Sequence, residues 1–201
     1  MLAYQFPGQG AQTADFLHRL PQHAAVTATL DEASQALDLD VLTLDTPDAL
    51  RSTVAVQVGL VVAGIATVRL LADAQVTPDI SAGLSVGAYA AAVSCGALKF
   101  ADALRMVRKR AELMETAYPS GYGLAAISGL TEPQLETLAA QQAQAGLPPV
   151  YIGNVNAPRQ IVMAGADAAL DALIARALTA GARKATRTAR GCSGRIDRLR
   201  T

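Results

Sequence analysis

"DISAGLSVGAYAAAVSC", residues 79–95, sets the pentapeptide Gly83-Leu84-Ser85-Val86-Gly87 between an apolar approach and an alanine-rich run. Residues 79–84 read as a strand and 86–95 as a helix, with Ser85 in the turn between them. G-x-S-x-G in that setting predicts a sharp strand-to-helix elbow. Its glycines make room for a strained backbone that exposes the serine hydroxyl, and the helix N-terminus favours negative charge beside it. The pentapeptide also occurs by chance in many chains. Its placement is what makes Ser85 the candidate nucleophile. A serine nucleophile needs a base, usually a histidine. The chain has only His18 and His23, which read as surface side chains in a short helical segment.

Upstream, residues 2–6 read as a strand that ends at Pro7 and the loop "GQGAQ" (8–12). Gly8 and Gly10 open that backbone, so its amides can face a ligand. A loop after the first strand and a turn after a later parallel strand lie at the same end of a sheet, where open α/β sheets bind ligands. Between them a helix is expected over 24–38, with Leu30, Ala33, Ser34 and Leu37 on one face. Thr46 before Pro47 offers a further helix start. "VAVQVGLVVAGIATV" (54–68) is the most apolar stretch. It falls short of the roughly 20 residues of a membrane span, contains Gln57 and is soon followed by Arg69, so it predicts a helix buried in the protein, with no membrane partner.

Downstream, 100–116 predicts an amphipathic helix with Phe100, Leu104, Val107, Ala111 and Met114 along one stripe. Arg110 lies within about 60° of that stripe, measured from Val107, and is placed to reach inward. Arg105, Arg108 and Lys109 read as a solvated face. Residues 123–188 then run strand, helix, two strands joined by "NAPR", helix, strand. That order, β-α-β-β-α-β, is ferredoxin-like. The expected domains are a large one at 1–122, a small α+β one at 123–188 and a tail at 189–201.

Half of the residues are apolar, enough for a sizeable core, and the formal net charge is zero. Charge is uneven, however: residues 182–201 carry seven basic side chains and one acid. With no aromatic residue to stack on bases, this tail is not read as a nucleic-acid site. Cys95 and Cys192 make no disulfide framework and have no metal-ligand spacing, so no metal is expected. The N-terminus lacks the charged start and long apolar run of a signal peptide, and a cytoplasmic setting is expected.

"FPGQGAQ", "GLSVGAY", "MVRKRAELME" and "NVNAPRQIVMAG", in this order over about residues 2–185, resemble the malonyl-CoA:acyl-carrier-protein transacylase family. The resemblance implies an α/β-hydrolase-like large domain with an inserted ferredoxin-like subdomain. It implies a ping-pong transfer of malonyl from coenzyme A, through a serine ester, to a carrier-protein thiol. By position, Ser85 is then the nucleophile, and the backbone amides of Gln9 and Val86 form the oxyanion hole. Arg110 clamps the free malonyl carboxylate. Met114 and Leu84 line the pocket, and Asn156 borders it. No cofactor is implied beyond malonyl-CoA as substrate.

Two departures bear on this. Most members have histidine before the serine and glutamate after the second glycine, where this chain has Leu84 and Ala88. The "GLSVGAY" form resembles the epsilon subunit of malonate decarboxylase, which loads malonyl onto a carrier subunit whose thiol belongs to a coenzyme A-derived group. That is the expected function, with the fatty-acid transacylase or a non-catalytic malonyl-CoA or carrier-binding fragment as alternatives. An unrelated serine esterase with the same elbow is a further alternative, against which Arg110 argues. The family's catalytic histidine follows the insert, yet no histidine follows His23, and the text turns arginine-rich near residue 186. The large domain is therefore read as incomplete, the chain as C-terminally truncated, and its own activity as impaired.

Overall fold

In the computed structural model, which describes residues 1–117 and 120–188, β1 (Ala3–Phe6) runs into the glycine loop and stops at Pro7. The chain then crosses over through α1 (Ala24–Leu37), two short 3-10 turns at Val41–Asp45 and Ala49–Arg51, and α2 (Thr53–Asp73). It returns as β2 (Ile80–Gly83), parallel to β1, with Ala3 opposite Ile80 and Phe6 opposite Gly83. A parallel pair demands such a crossover, and its reward is that both strands finish side by side. Next come α3 (Gly87–Ser94) and α4 (Phe100–Ala117). These elements form one compact unit, residues 1–117.

Thr46 does not start an α-helix. Its hydroxyl accepts from Ala49 N at 3.2 Å, but only the three-residue turn Ala49–Arg51 follows. The backbone then extends at Ser52 (ψ 132°), and this residue caps α2 instead. Ser52 Oγ accepts from Val54 N at 3.1 Å and donates to Glu115 Oε1 at 2.8 Å. The Glu115 carboxylate thus stands at the positive end of α2, where a negative charge is favoured. This contact ties the start of α2 to the end of α4.

Among the described residues, α2 is the one helix long and apolar enough to cross a membrane. Here α1, α3 and α4 pack around it. Its Val58, Val61, Val62 and Ile65 share a core with Phe6, Leu17, Leu37, Phe100, Leu104 and Val107. Full burial of each large apolar side chain stabilises the unit by about 1.5–3 kcal/mol. On α4 the stripe is buried from Phe100 to Ala111, but Met114 at its end is half exposed. Arg108 lies on the expected exposed face. Besides pairing with Glu112, its Nη1 donates to the carbonyl of Leu37 at 3.2 Å, satisfying an orphan acceptor at the end of α1.

The second unit, described from residue 120 to 188, holds β3 (Tyr122–Ser128), α5 (Glu132–Gln144), β4 (Val150–Ala157), β5 (Gln160–Ala166), α6 (Asp167–Thr179) and β6 (Lys184–Arg187). Its sheet runs β4-β5-β3-β6 with every pair antiparallel. The connection between β4 and β5 is tighter than "NAPR", because pairing runs on to Ala157↔Gln160. Before α5, Gln134 Oε1 accepts from Thr131 N at 2.9 Å, and Pro133 sits in the first turn. Side chains alternate along β3, so Ala125 and Ile127 go inward with Ile161, Met163, Leu135, Leu170 and Leu173. The basic stretch 189–201, with Cys192, lies outside the described residues.

Candidate active site

The site is built at the paired ends of β1 and β2. After Gly83 the chain turns sharply: Leu84 N donates back to Phe6 O at 3.1 Å, and Gly87 N to Leu84 O at 2.9 Å. Ser85 takes φ +54°, the left-handed region, which costs a non-glycine residue roughly 1–2 kcal/mol. α3 begins two residues later. The elbow is this tight because two glycines carry no side chain. A Cβ on Gly83 would lie 2.1 Å from Gly87 C, and one on Gly87 would lie 2.3 Å from Phe6 O. The first loop abuts the same turn, since a Cβ on Gly8 would stand 3.1 Å from Leu84 O.

Ser85 is exposed, while Val86 behind it is buried. The N–H of Val86 belongs to the first turn of α3, where amides have no carbonyl one turn back. Gln9 is half-buried in the first loop, and the neighbouring Gly10 N donates to Gln12 Oε1 at 2.7 Å. Leu84 is 53% exposed beside Ser85.

Arg110, on α4, is half-buried and reaches this turn. Its Nη2 donates to Ser85 Oγ at 2.9 Å, and its Nη1 donates to Gln57 Oε1 of α2. Gln57 Nε2 in turn faces Met114 Sδ at 3.5 Å. Ser85, Arg110 and Met114 are therefore brought together, with Gln57 behind them. Gln57 was legible only as a polar residue interrupting an apolar run, a pattern that demands a buried partner without naming it. Asn156 is exposed on β4 of the second unit.

Both histidines are exposed, as expected, and each makes a contact of its own. His18 is half exposed, but its Nδ1 sits 2.9 Å from Oδ1 of Asp45, a fully buried carboxylate. His23 caps α1, its Nδ1 accepting from Ala25 N at 3.2 Å. Neither is hydrogen-bonded to Ser85, whose Oγ accepts from Arg110. Asp15, His18 and Asp45 place one possible metal ligand atom each within 4.8 Å of the others. Asp45 already accepts from Leu17 N at 2.8 Å and His18 N at 3.2 Å, so its carboxylate fastens this turn.

An exposed serine in an elbow, beside half-exposed apolar side chains and under a fixed cation, suits attack on an acyl group that carries a negative charge. Comparison with known proteins points the same way. Residues 3–191 match the model of the acyl transferase domain family. The malonyl CoA-acyl carrier protein transacylase of Haemophilus influenzae is 37% identical over 190 residues, 91% of this chain and 60% of that protein. The acyl-carrier-protein S-malonyltransferase structure from Burkholderia pseudomallei is 38% identical with a TM-score of 0.81, over 92% of this chain and 62% of that one. A malonyl-transacylase solved in complex with its type II PKS acyl-carrier protein is 32% identical with a TM-score of 0.82, over 94% and 63%. The chain spans about 60% of the length of the curated relatives it matches.

Proposed function

The chain belongs to the acyl transferase domain family, and from that premise we propose that its site transfers malonyl from malonyl-CoA to the thiol of an acyl carrier protein. The observation that carries the reading is the contact of Arg110 with Ser85 in the strained elbow. Ser85 Oγ attacks the thioester carbonyl, the C–S bond breaks, and coenzyme A leaves as its thiol. The amides of Gln9 and Val86 receive the oxyanion of the tetrahedral intermediate. Arg110 holds the distal carboxylate, and Leu84 and Met114 line the acyl chain. The carrier thiol then attacks the serine ester and regenerates Ser85. The transfer balances without a metal or redox cofactor.

The proton leaving Ser85 needs an acceptor, and both histidines are engaged elsewhere. Loading of Ser85 by these residues alone is therefore slow, because losing the base of such a constellation removes most of the rate. A second reading keeps the chemistry and changes the carrier. Leu84 and Ala88 favour the malonate decarboxylase epsilon subunit, whose acceptor is the decarboxylase's carrier subunit. The named relatives favour an acyl carrier protein. The order of the elements around the sheet β4-β5-β3-β6 supports a ferredoxin-like second unit, and the strand–elbow–helix supports an α/β-hydrolase-like first unit. The exposed free thiol of Cys95 suits a reducing, cytoplasmic setting.

Intact-mass measurement after incubation with malonyl-CoA tests the reading. One malonyl group should accumulate slowly on the wild-type chain, map to Ser85 and be absent from Ser85→Ala. An adduct that persists in Ser85→Ala, or a failure to bind malonyl-CoA at all, refutes it. Offering the loaded protein both carriers then separates the two acceptors.

A further inference from the structure

We infer that Gln57 is a positioning residue that sets the preference of the Ser85 site for acyl groups ending in a carboxylate. It does so by holding the guanidinium of Arg110 from inside the core without neutralising it. This rests on the carboxylate clamp proposed above and assigns its selectivity to a second side chain.

Gln57 lies in the most apolar helix of the chain and is 1% exposed. A buried amide is unfavourable unless its polar atoms find partners. Those of Gln57 go to the two α4 side chains at the site. Its oxygen accepts from Arg110 Nη1, and its nitrogen approaches Met114 Sδ. A guanidinium offers only donors, so the amide must turn its oxygen to Arg110. Arg110 and Met114 are one helical turn apart, and a single amide fixes both.

The residue type matters as much as the contact. A carboxylate in the place of Gln57 would pair with Arg110 in the core and cancel the charge that an incoming carboxylate needs. An apolar residue would leave Nη1 without its buried acceptor and the guanidinium free to swing. Glutamine supplies an acceptor with no charge. The two guanidinium nitrogens are then anchored at opposite ends, one on the core amide and one on exposed Ser85, and the full positive charge stays at the site.

The test is the ratio of dissociation constants for acetyl-CoA and malonyl-CoA, measured by calorimetry on the full chain. Wild type should prefer malonyl-CoA by about tenfold or more, the worth of a charge-assisted pair. Gln57→Glu should bring the ratio close to one, with acetyl-CoA affinity unchanged. In an Arg110→Ala background the same substitution should change nothing further. Should Gln57→Glu fail to fold, Gln57→Met keeps the volume, removes the acceptor and should lower the ratio several-fold. A wild-type ratio in folded Gln57→Glu overturns the role of Gln57 and leaves the clamp standing. Equal loss of both ligands overturns it too, since that marks a merely structural residue. If wild type shows no preference, or Arg110→Ala retains it, the clamp itself is wrong and this inference falls with it.

Discussion

Arg110 Nη2 donates to Ser85 Oγ at 2.9 Å, so a cation stands against the hydroxyl of the elbow. Twenty-five residues separate the two in sequence. They meet because β2 delivers Ser85 to the end of the sheet and α4 runs back past it.

Arg110→Ala should weaken malonyl-CoA binding by about 10- to 100-fold and leave acetyl-CoA almost unaffected, since only the malonyl group brings a carboxylate. Arg110→Lys should recover only part of the loss, because an ammonium cannot offer a planar two-pronged donor. Titration calorimetry with both ligands reads this directly. Equal weakening of both would show that Arg110 supports the elbow instead of the ligand.

The two elbow glycines face a different constraint. A Cβ on Gly87 would meet backbone carbonyl oxygens of Phe6 at 2.3 Å and Pro7 at 2.7 Å, and neither can rotate away. Gly87→Ala should destabilise the first unit by more than about 2 kcal/mol through overpacking. Gly96 is the control: its φ is +75°, but nothing lies within 4 Å of a new Cβ. Gly96→Ala should therefore cost only about 1 kcal/mol of backbone strain. Urea unfolding followed by circular dichroism compares the two, and equal midpoints would refute the close approach.

How far such features are legible depends on whether their cause is local. The elbow is readable because its glycines, serine and flanking periodicities lie within one short stretch. Arg110 is readable as inward-reaching from its angle on α4. The body of α2 is readable as the apolar run from residue 54, but its cap at Ser52 is not, since the carboxylate that reinforces it is Glu115, far along the chain. Gln57 and Asp45 fall in the same class. Each is a buried polar group whose partners come from distant residues, and no spacing rule names those partners. The exposure of Arg108 is readable, but its acceptor, at the end of another helix, is not.

Asp45 carries a prediction of its own. The carboxylate is 0% exposed and accepts from Leu17 N, His18 N and His18 Nδ1, while its backbone oxygen accepts from Asp15 N at 3.0 Å. It fastens the turn after the first loop to the segment before α2. Asp45→Ala leaves Leu17 N, His18 N and His18 Nδ1 without the carboxylate and should cost about 3 kcal/mol. His18→Ala removes one half-exposed contact and should cost about 1 kcal/mol. Denaturant titration separates the two, and equal losses would mean that the histidine contact is all the carboxylate provides.

Ser85 itself sets stability against chemistry. Its φ of +54° is disfavoured for any residue with a Cβ. Ser85→Ala and Ser85→Gly both remove the hydroxyl and its bond to Arg110, so their difference isolates the backbone. Ser85→Gly should be the more stable by about 1 kcal/mol, less whatever the freer glycine adds to the entropy of the unfolded chain. Neither variant should accept malonyl at this position. Paired urea unfolding curves give the difference, and intact mass gives the loading. If Ser85→Gly were no more stable than Ser85→Ala, the turn would carry no strain, and the exposure of the hydroxyl would need another cause. If the expected order is found, the serine is held in a costly conformation that a glycine would relieve, which is the signature of a residue placed for its hydroxyl.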